Sequence, residues 1–370
     1  MSASPPPAPK RRKPALPRLV LHFDVNETIM VSDPAGDDDF DAVLNKMVAK
    51  TAFARRKDGG DDVRTAALED LEWRDGVALG ASADAEPDAA LWTAWAPPGD
   101  GSRAAVAIPS LKKHTATFAS TVGKRFRSVR DDLRARLALA PGFDPVFYTD
   151  DGGHHKFLPA FFETLRALLD GGRDVSLVIR TFGSDGPAVA EAVGAWAAGN
   201  HPTIAAPKEA VDWVRPERVF RGRYDADGRY ALLPEAGGPA LDEAAAVTLL
   251  ETPRSAAVVQ DHYDWWASHG ERASAGKPFW ITRGSDDCHH LFFDDHIKNG
   301  DEKSIVAARA RESPDAAFAP LDGPTTRQLH GICLVRVPTL LPLRDENWFL
   351  DRVAECEARR GEMEAVLGGD

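Results

Sequence analysis

The sequence predicts an α/β protein with a largely parallel sheet, and three observations support this class. From about residue 143 onward, short apolar runs alternate with segments of helical period, as is typical of strands joined by helices. The run at residues 19–24 is apolar up to its last position, as expected of a strand buried on both faces. The 370-residue chain is 43% hydrophobic, which is enough for a sizeable core. The predicted architecture is therefore a Rossmann-like sheet with helices on both faces.

Local sequence signals place the individual elements. Gly171-Gly172 predict the end of one helix, and Pro187 predicts the first turn of the next. The turn sequence Asp-Ala-Asp-Gly at 225–228 predicts a hairpin over residues 219–233. The predicted strands cover residues 19–24, 145–148, 175–181, 279–282, 290–293, 304–308 and 332–337. The predicted helices cover residues 41–53, 117–139, 157–169, 187–198, 241–250, 255–269 and 347–357.

Changes in composition divide the chain into three parts. Residues 1–18 are rich in proline and serine, which predicts a disordered tail. Residues 33–142 combine helical periods with breakers such as Pro97-Pro98-Gly99, and this mixture predicts a mostly helical insertion. The α/β core then consists of residues 19–32 and 143–370.

Charge and cysteine content narrow the class of partner and the compartment. Lys plus Arg number 45 and Asp plus Glu number 57, so the formal net charge of −12 argues against a nucleic-acid partner. No apolar run reaches the roughly 18 residues of a membrane span, so no membrane association is expected. The three cysteines are far apart, which favours a reducing, intracellular compartment, with the cytoplasm expected. The basic run Lys10-Arg11-Arg12-Lys13 leaves a nuclear signal open beside a solvated tail.

Polar residues stand where several predicted strands begin or end. In chain order they are Asp24-Val-Asn26-Glu-Thr28, Thr181, Lys277 and Asp294-Asp295. Because ligands of parallel α/β sheets bind beyond the carboxyl ends of the strands, we expect these side chains to meet. A carboxylate beside Mg²⁺ can attack phosphorus, and a hydroxyl and a lysine can hold the phosphoryl oxygens. The pattern therefore indicates phosphoryl-transfer chemistry.

These residues resemble the four motifs of the haloacid dehalogenase-like superfamily. The first is D-x-D-x-T after a strand, the second is a strand ending in Thr or Ser, the third is a lysine, and the fourth is a strand ending in two acids. The resemblance covers residues 18–32 and 143–310, and it implies that residues 33–142 form a cap. It also implies roles for the site residues. Asp24 would be the nucleophile, Thr181 and Lys277 would bind phosphate, and Mg²⁺ would be held by Asp24, the backbone carbonyl of Asn26, Asp294 and Asp295.

The sequence departs from this pattern at Asn26. Hydrolytic members of the superfamily usually carry an aspartate there, which protonates the leaving group and then activates water. An amide does neither, because it does not titrate near neutral pH. The resemblance thus implies a Mg²⁺-dependent phosphohydrolase for a phosphorylated small molecule or phosphoprotein, slow on poor leaving groups unless another acid such as Glu27 or His22 acts. The alternative is a catalytically impaired member that binds a ligand or a protein.

Three further features leave alternatives open. The H-x-D patterns at 22–24 and 262–264 match part of an iron-site signature, but such sites usually lie in all-β barrels. Trp92 and Trp95 would line a stacking pocket in the cap or pack in its core. The Gly-Ser-Asp-Gly turn at 183–186 would either present amides to an anion or only reverse the chain.

Overall fold

The protein is a mixed α/β structure built around one seven-stranded sheet. The computed structural model describes residues 16–31, 38–86, 99–210, 214–298, 304–338 and 340–368. The predicted α/β class with a mostly parallel sheet is confirmed. Most of the predicted tail, together with Trp92 and Trp95, lies outside the described residues.

The described strands and helices have the following bounds. The strands are β1 (Arg18–Asp24), β2 (Phe53–Arg56), β3 (Leu71–Trp73), β4 (Arg103–Ala104), β5 (Val175–Thr181), β6 (Val214–Tyr224), β7 (Tyr230–Pro234), β8 (Ser255–Gln260), β9 (Lys277–Thr282), β10 (Cys288–Asp294), β11 (Val306–Arg311), β12 (Ala319–Pro320) and β13 (Leu334–Arg336). The helices are α1 (Phe40–Thr51), α2 (Pro109–Lys112), α3 (Arg127–Arg136), α4 (Pro159–Asp170), α5 (Gly186–Ala197), α6 (Glu243–Leu250), α7 (Tyr263–Ser268), α8 (Gly323–Gln328), α9 (Leu341–Arg344), α10 (Trp348–Arg359) and α11 (Met363–Leu367). None of these helices is long and apolar enough to cross a membrane.

The main sheet has the strand order β13-β10-β1-β5-β8-β6-β7. Neighbouring strands run parallel except for the β6–β7 hairpin, which the sequence predicts. Alternate residues of β1 enter two different cores, since Leu21 packs with α4 and α10 whereas Val20 packs with α6. Helices therefore cover both faces, which explains why the central strands read as continuous apolar runs.

Three elements differ from the sequence prediction. Residues 117–139 are not one helix, since the 3-10 turns Thr115–Ser120 and Lys124–Phe126 precede α3. Residues 255–269 are not one helix: Ser255–Gln260 is the inner strand β8, and only Tyr263–Ser268 is helical. The alanines of this segment suit a helix, but burial between β5 and β6 outweighs that preference. Residues 145–148 are not a strand, because Pro145–Phe147 form a 3-10 turn that the Asp144 carboxylate caps at the Val146 N–H.

The strands predicted near residues 279 and 304 exist, but they do not join the main sheet. They are β9 and β11, which pair in parallel, with β12 at the outer edge, as a separate three-stranded sheet. Residue 277 nevertheless starts β9 beside the main sheet, where its side chain reaches the ends of β1 and β10.

The described parts of residues 38–142 stay outside the main sheet. Strands β2, β3 and β4 form their own small sheet, and helices α1 to α3 pack on a second apolar core that includes Met47, Phe118 and Leu133. That core also takes in Leu158 and Leu340, which joins the segment to the rest of the protein. Helical residues outnumber strand residues here, and the role of the segment as a cap stays a prediction.

Candidate functional site

The candidate site lies at the carboxyl ends of three adjacent strands. Asp24, Thr181 and Asp294 are the last residues of β1, β5 and β10, and β1 lies between the other two. The register pairs Phe23 with Phe293, which places Asp294 level with Asp24, and it pairs Asp24 with Arg180, which places Thr181 one residue farther along β5. Residues separated by up to 270 positions in the chain therefore meet at one edge.

Lys277 joins two of these strand ends. Its Nζ donates to Asp24 Oδ1 at 2.5 Å and to Asp294 Oδ2 at 2.9 Å, and all three side chains are buried. The two carboxylates therefore face one another across a single ammonium group, and their contacting oxygens are no farther apart than the sum of these two distances. By contrast, Lys298 lies in the loop after β10, and Lys303 lies outside the described residues.

The turn after β1 holds the other oxygen of Asp24. Thr28 Oγ1 donates to Asp24 Oδ2 at 3.0 Å and accepts from the Asp295 N–H at 3.3 Å. The N–H groups of Thr28, Ile29 and Met30 all point to the Val25 carbonyl, and Glu27 adopts a left-handed φ of 57°. The turn therefore fixes the Asp24 carboxylate and connects it to the end of β10.

Asn26 contacts a carboxylate that sequence reasoning missed. Its Nδ2 donates to Asp185 Oδ2 at 2.8 Å, whereas its Oδ1 is buried with no hydrogen-bond partner among the described residues. Asp185 directly precedes α5, yet its side chain caps no helical N–H. The turn at 183–186 is the available sequence signal, but it indicates backbone amides for an anion and does not single out the Asp185 carboxylate. A carboxyl group thus lies beside position 26, but it belongs to Asp185, in the connection between β5 and α5.

Thr181 presents its hydroxyl at the end of β5. Its Oγ1 accepts from the Gly183 N–H at 2.9 Å, and this contact leaves the hydroxyl proton available for donation to an anion. Behind it, a buried ion pair fixes the strand ends. Arg180 holds both oxygens of Asp261 at 2.7 and 2.9 Å and donates to the Pro278 carbonyl, next to Lys277.

Neither His22 nor Glu27 faces the Asp24 carboxylate as a substitute acid. His22 lies on the same face of β1 as Asp24, but its ring nitrogens are taken up by His290 at 3.1 Å and Arg180 at 3.4 Å. Glu27 is ion-paired with Lys50 at 2.6 Å. Both H-x-D histidines contact protein groups, since His22 pairs with His290 and His262 Nδ1 accepts from the Tyr224 N–H.

Lys50 is a second residue that the sequence did not single out. It lies on α1, outside the main sheet, and its Nζ contacts Asp295 Oδ2 at 2.7 Å as well as Glu27. The other Asp295 oxygen is 2.9 Å from Nδ1 of His296. Asp295 is therefore turned toward the segment 38–142, whereas Asp294 is turned toward Asp24.

The buried charges shift the titration of the site. Burial raises the pKa of Asp24 to about 7, an effect that Lys277 opposes and that Asp294 and Asp295 reinforce. Burial would also raise the pKa of Asp295, but His296 and Lys50 hold it well below its usual range. Burial opposes the charge of Lys277, yet Asp24 and Asp294 raise its pKa above the ordinary value. The site is thus ionic at neutral pH, with Asp24 close to its midpoint.

The oxygen-rich donor set fits a hard divalent cation. Asp24 and Asp294 already hold one positive group, the Lys277 ammonium, between two buried carboxylates. Ligand atoms of Asp294, Asp295 and His296 also lie within 4.8 Å of one another. Carboxylate and carbonyl oxygens are the ligands that Mg²⁺ prefers. Asp24 and Asp294 are thus brought together through Lys277, whereas the adjacent Asp295 has its carboxylate on Lys50 and His296. The predicted Asn26 carbonyl lies two residues beyond Asp24.

A scan of protein-family models finds no match to this chain, and searches of the curated proteins and of the solved structures find none either. Conclusions about function therefore depend on the geometry of the site.

Proposed function

We propose that the protein is a Mg²⁺-dependent phosphohydrolase that acts through an aspartyl-phosphate on Asp24, in a haloacid dehalogenase-like core with residues 33–142 as its cap. The observation that carries the proposal is the convergence of Asp24, Asp294 and Lys277 at the carboxyl ends of parallel strands, with the Thr181 hydroxyl on the neighbouring strand. This is the arrangement that nucleophilic attack on a phosphate ester needs.

Each group has a defined part in the reaction. Thr28 occupies Asp24 Oδ2, so Oδ1 is the oxygen that attacks phosphorus as the bond to the leaving oxygen breaks. Lys277 exchanges its contact with Asp24 for a phosphoryl oxygen, and Thr181 donates to another. Bound Mg²⁺ would neutralise the charge of the phosphoryl group. Water then attacks phosphorus, the bond to Asp24 breaks, and phosphate leaves with the Asp24 carboxylate restored.

Two structural features support the fold and the cap as proposals. The first motif follows β1, and the strands that end in the second and fourth motifs, β5 and β10, are its two neighbours in the sheet. The described strands of residues 38–142 pair only among themselves, and Lys50 on α1 reaches Glu27 and Asp295 at the edge of the site. A phosphorylated small molecule or a phosphoprotein in an intracellular compartment remains the proposed substrate and setting.

Asn26 favours a second candidate function. Its side chain is a neutral amide that donates to Asp185, so it does not protonate a leaving group. A protein with this residue that bound phosphorylated ligands without turnover would be a binding module. The two candidates differ in a single observable, since both bind phosphate but only the first forms and hydrolyses a phosphoenzyme.

Beryllofluoride, a mimic of the phosphoryl group on an aspartate, tests the site without the substrate. In the presence of Mg²⁺ it should bind the wild type with one equivalent per chain. Lys277→Met should weaken this binding by roughly 10- to 100-fold, because a charged hydrogen bond to the phosphoryl mimic is lost. Calorimetric titration measures both values.

Lys298→Met is the matched control and should leave beryllofluoride binding unchanged. Equal losses in the two variants would remove Lys277 from the site, and a wild type that binds no beryllofluoride would refute the phosphohydrolase proposal. Thermal melting of each variant shows whether it is folded, because Lys277→Met leaves Asp24 and Asp294 without their shared cation.

The raised pKa of Asp24 predicts the pH dependence of Mg²⁺ binding. Below about pH 7 the Asp24 carboxyl carries a proton that a cation must displace. Mg²⁺ affinity should therefore fall as the pH drops through 7, by up to about tenfold per pH unit, and stay level above it. Titrations between about pH 5.5 and 8 measure this, and an affinity that does not vary over the range would contradict the assigned shift.

A further inference from the structure

An aromatic cluster borders the phosphate-binding groups. Phe182 directly follows Thr181, and the Lys277 Nζ lies 5.1 Å from the centre of its ring. The ring of Trp266 stacks on Phe182 at 5.1 Å with an interplanar angle of 26°. Tyr263 meets Phe182 edge-on at 5.6 Å and completes the cluster. Phe182, Tyr263 and Trp266 are called the aromatic wall below.

The backbone holds the aromatic wall at a fixed place beside the site. The Asp261 N–H donates to the Thr181 carbonyl at 2.7 Å, and the Tyr263 N–H donates to the Asp261 carbonyl at 3.1 Å. The wall thus continues from the ends of β5 and β8. Trp266 is 9% exposed and serves as its base, whereas Tyr263 is 51% exposed and presents ring surface to solvent.

A second, independent observation concerns the leaving group. Asn26 does not protonate a departing oxygen. An alkoxide needs that proton, whereas a phenolate leaves with the bonding electron pair unprotonated far more readily. The chemistry at Asn26 therefore favours an ester with a phenolate leaving group, and the ring surface beside Thr181 and Lys277 favours the same group.

We infer that the substrate is an aryl phosphate monoester whose ring packs on the aromatic wall while its phosphoryl group lies between Asp24, Thr181 and Lys277. The inference rests on the proposed function and specifies its substrate class. A free aryl phosphate and a phosphotyrosine side chain share this chemistry. Edge-to-face and offset-stacked contacts with Phe182 and Tyr263 supply the preference for a flat ring over a saturated one.

Two non-hydrolysable phosphonates isolate the contribution of the ring. Benzylphosphonate and cyclohexylmethylphosphonate carry the same phosphonate group and rings of similar size, of which only the first is aromatic. Competition with beryllofluoride in the presence of Mg²⁺ measures their affinities. The wild type should bind benzylphosphonate roughly 2- to 13-fold more tightly, which is the range for one aromatic pair.

Tyr263→Ala and Phe182→Leu should each reduce this ratio to about 1, and the beryllofluoride affinity of each variant is the reference for its phosphate site. Phe143→Ala is the matched control, because Phe143 is 42% exposed in the turn before Pro145, and the ratio there should equal that of the wild type. A wild-type ratio near 1, or a ratio that survives in both wall variants, would overturn the inference.

The same titrations test the substrate class and the phosphohydrolase function separately. If the wild type binds beryllofluoride but shows no preference for the aromatic ring, the substrate class is wrong and the phosphohydrolase proposal stands. If neither beryllofluoride nor either phosphonate binds, the proposed function fails and the substrate class fails with it. Phosphotyrosine peptide and phenyl phosphate, compared as substrates of the wild type, then show whether the aryl group is free or attached to a protein.

Discussion

Asp24→Asn is expected to abolish turnover of p-nitrophenyl phosphate. The amide keeps the shape of the side chain but lacks the anionic oxygen that attacks phosphorus, and loss of a covalent nucleophile lowers kcat by on the order of 10⁶-fold. The variant also removes one of the two carboxylates that hold the Lys277 ammonium. Release of nitrophenol, followed with Mg²⁺ in excess, measures the effect.

Asp242→Asn supplies the control for this experiment. Asp242 caps α6 by accepting from the Ala245 N–H, and asparagine caps a helix about as well, so stability and turnover should both stay close to the wild-type values. Trapping of a phosphoenzyme distinguishes the mechanism, since the wild type should carry phosphate on Asp24 and Asp24→Asn should carry none. Turnover above about 1% of the wild-type rate in Asp24→Asn would show that the nucleophile lies elsewhere.

Asn26→Asp should have the largest effect in the opposite direction. Asp185 already lies 2.8 Å from the Asn26 amide nitrogen, so the new carboxyl group would face another carboxyl at hydrogen-bond distance. Two carboxyls that share a site retain a proton between them, which supplies the missing acid. Cleavage of unactivated alkyl phosphates should rise by about two to four orders of magnitude. In p-nitrophenyl phosphate the leaving group needs no proton, so kcat/KM should change little.

The expected dependence on the leaving group is what makes this prediction specific. A structural effect of the substitution would alter alkyl and nitrophenyl esters alike. If wild type already cleaves alkyl phosphates rapidly and Asn26→Asp raises nothing, another residue acts as the acid, and Asp185→Asn identifies it by lowering alkyl turnover alone. If Asn26→Asp binds Mg²⁺ and beryllofluoride but stays inactive on all esters, the binding-module function takes precedence.

Several site residues could be predicted from the sequence because each sits at a strand end that is visible locally. The apolar runs before Asp24, Thr181 and Asp294 mark buried parallel strands, and the ends of such strands meet at one edge. Lys277 could be chosen over Lys298 from sequence order, and the structure places it between Asp24 and Asp294. Their roles in catalysis stay predictions until the variants are measured.

Other parts of the site could not be predicted, since they depend on distant contacts. The contact between Asn26 and Asp185 joins residues 159 positions apart, and nothing near either residue announces it. Lys50 lies 245 positions from Asp295 and has no motif around it. The sequence predicts a helix where strand β8 lies, because its alanines have helical preference, and only its neighbours β5 and β6 make an extended conformation favourable.

The sequence by itself determined the α/β class, the hairpin of β6 and β7, and the polar strand ends that define the candidate site. These features are local, since they follow from hydrophobic period, turn residues and the last position of each buried run. The tertiary structure alone decided which charges neutralise one another, which face of β1 buries His22, and which rings border Lys277. Those outcomes depend on strand order and on the register between segments that are far apart in the chain. A charged side chain or an aromatic ring therefore contacts its partner only after these segments have packed together.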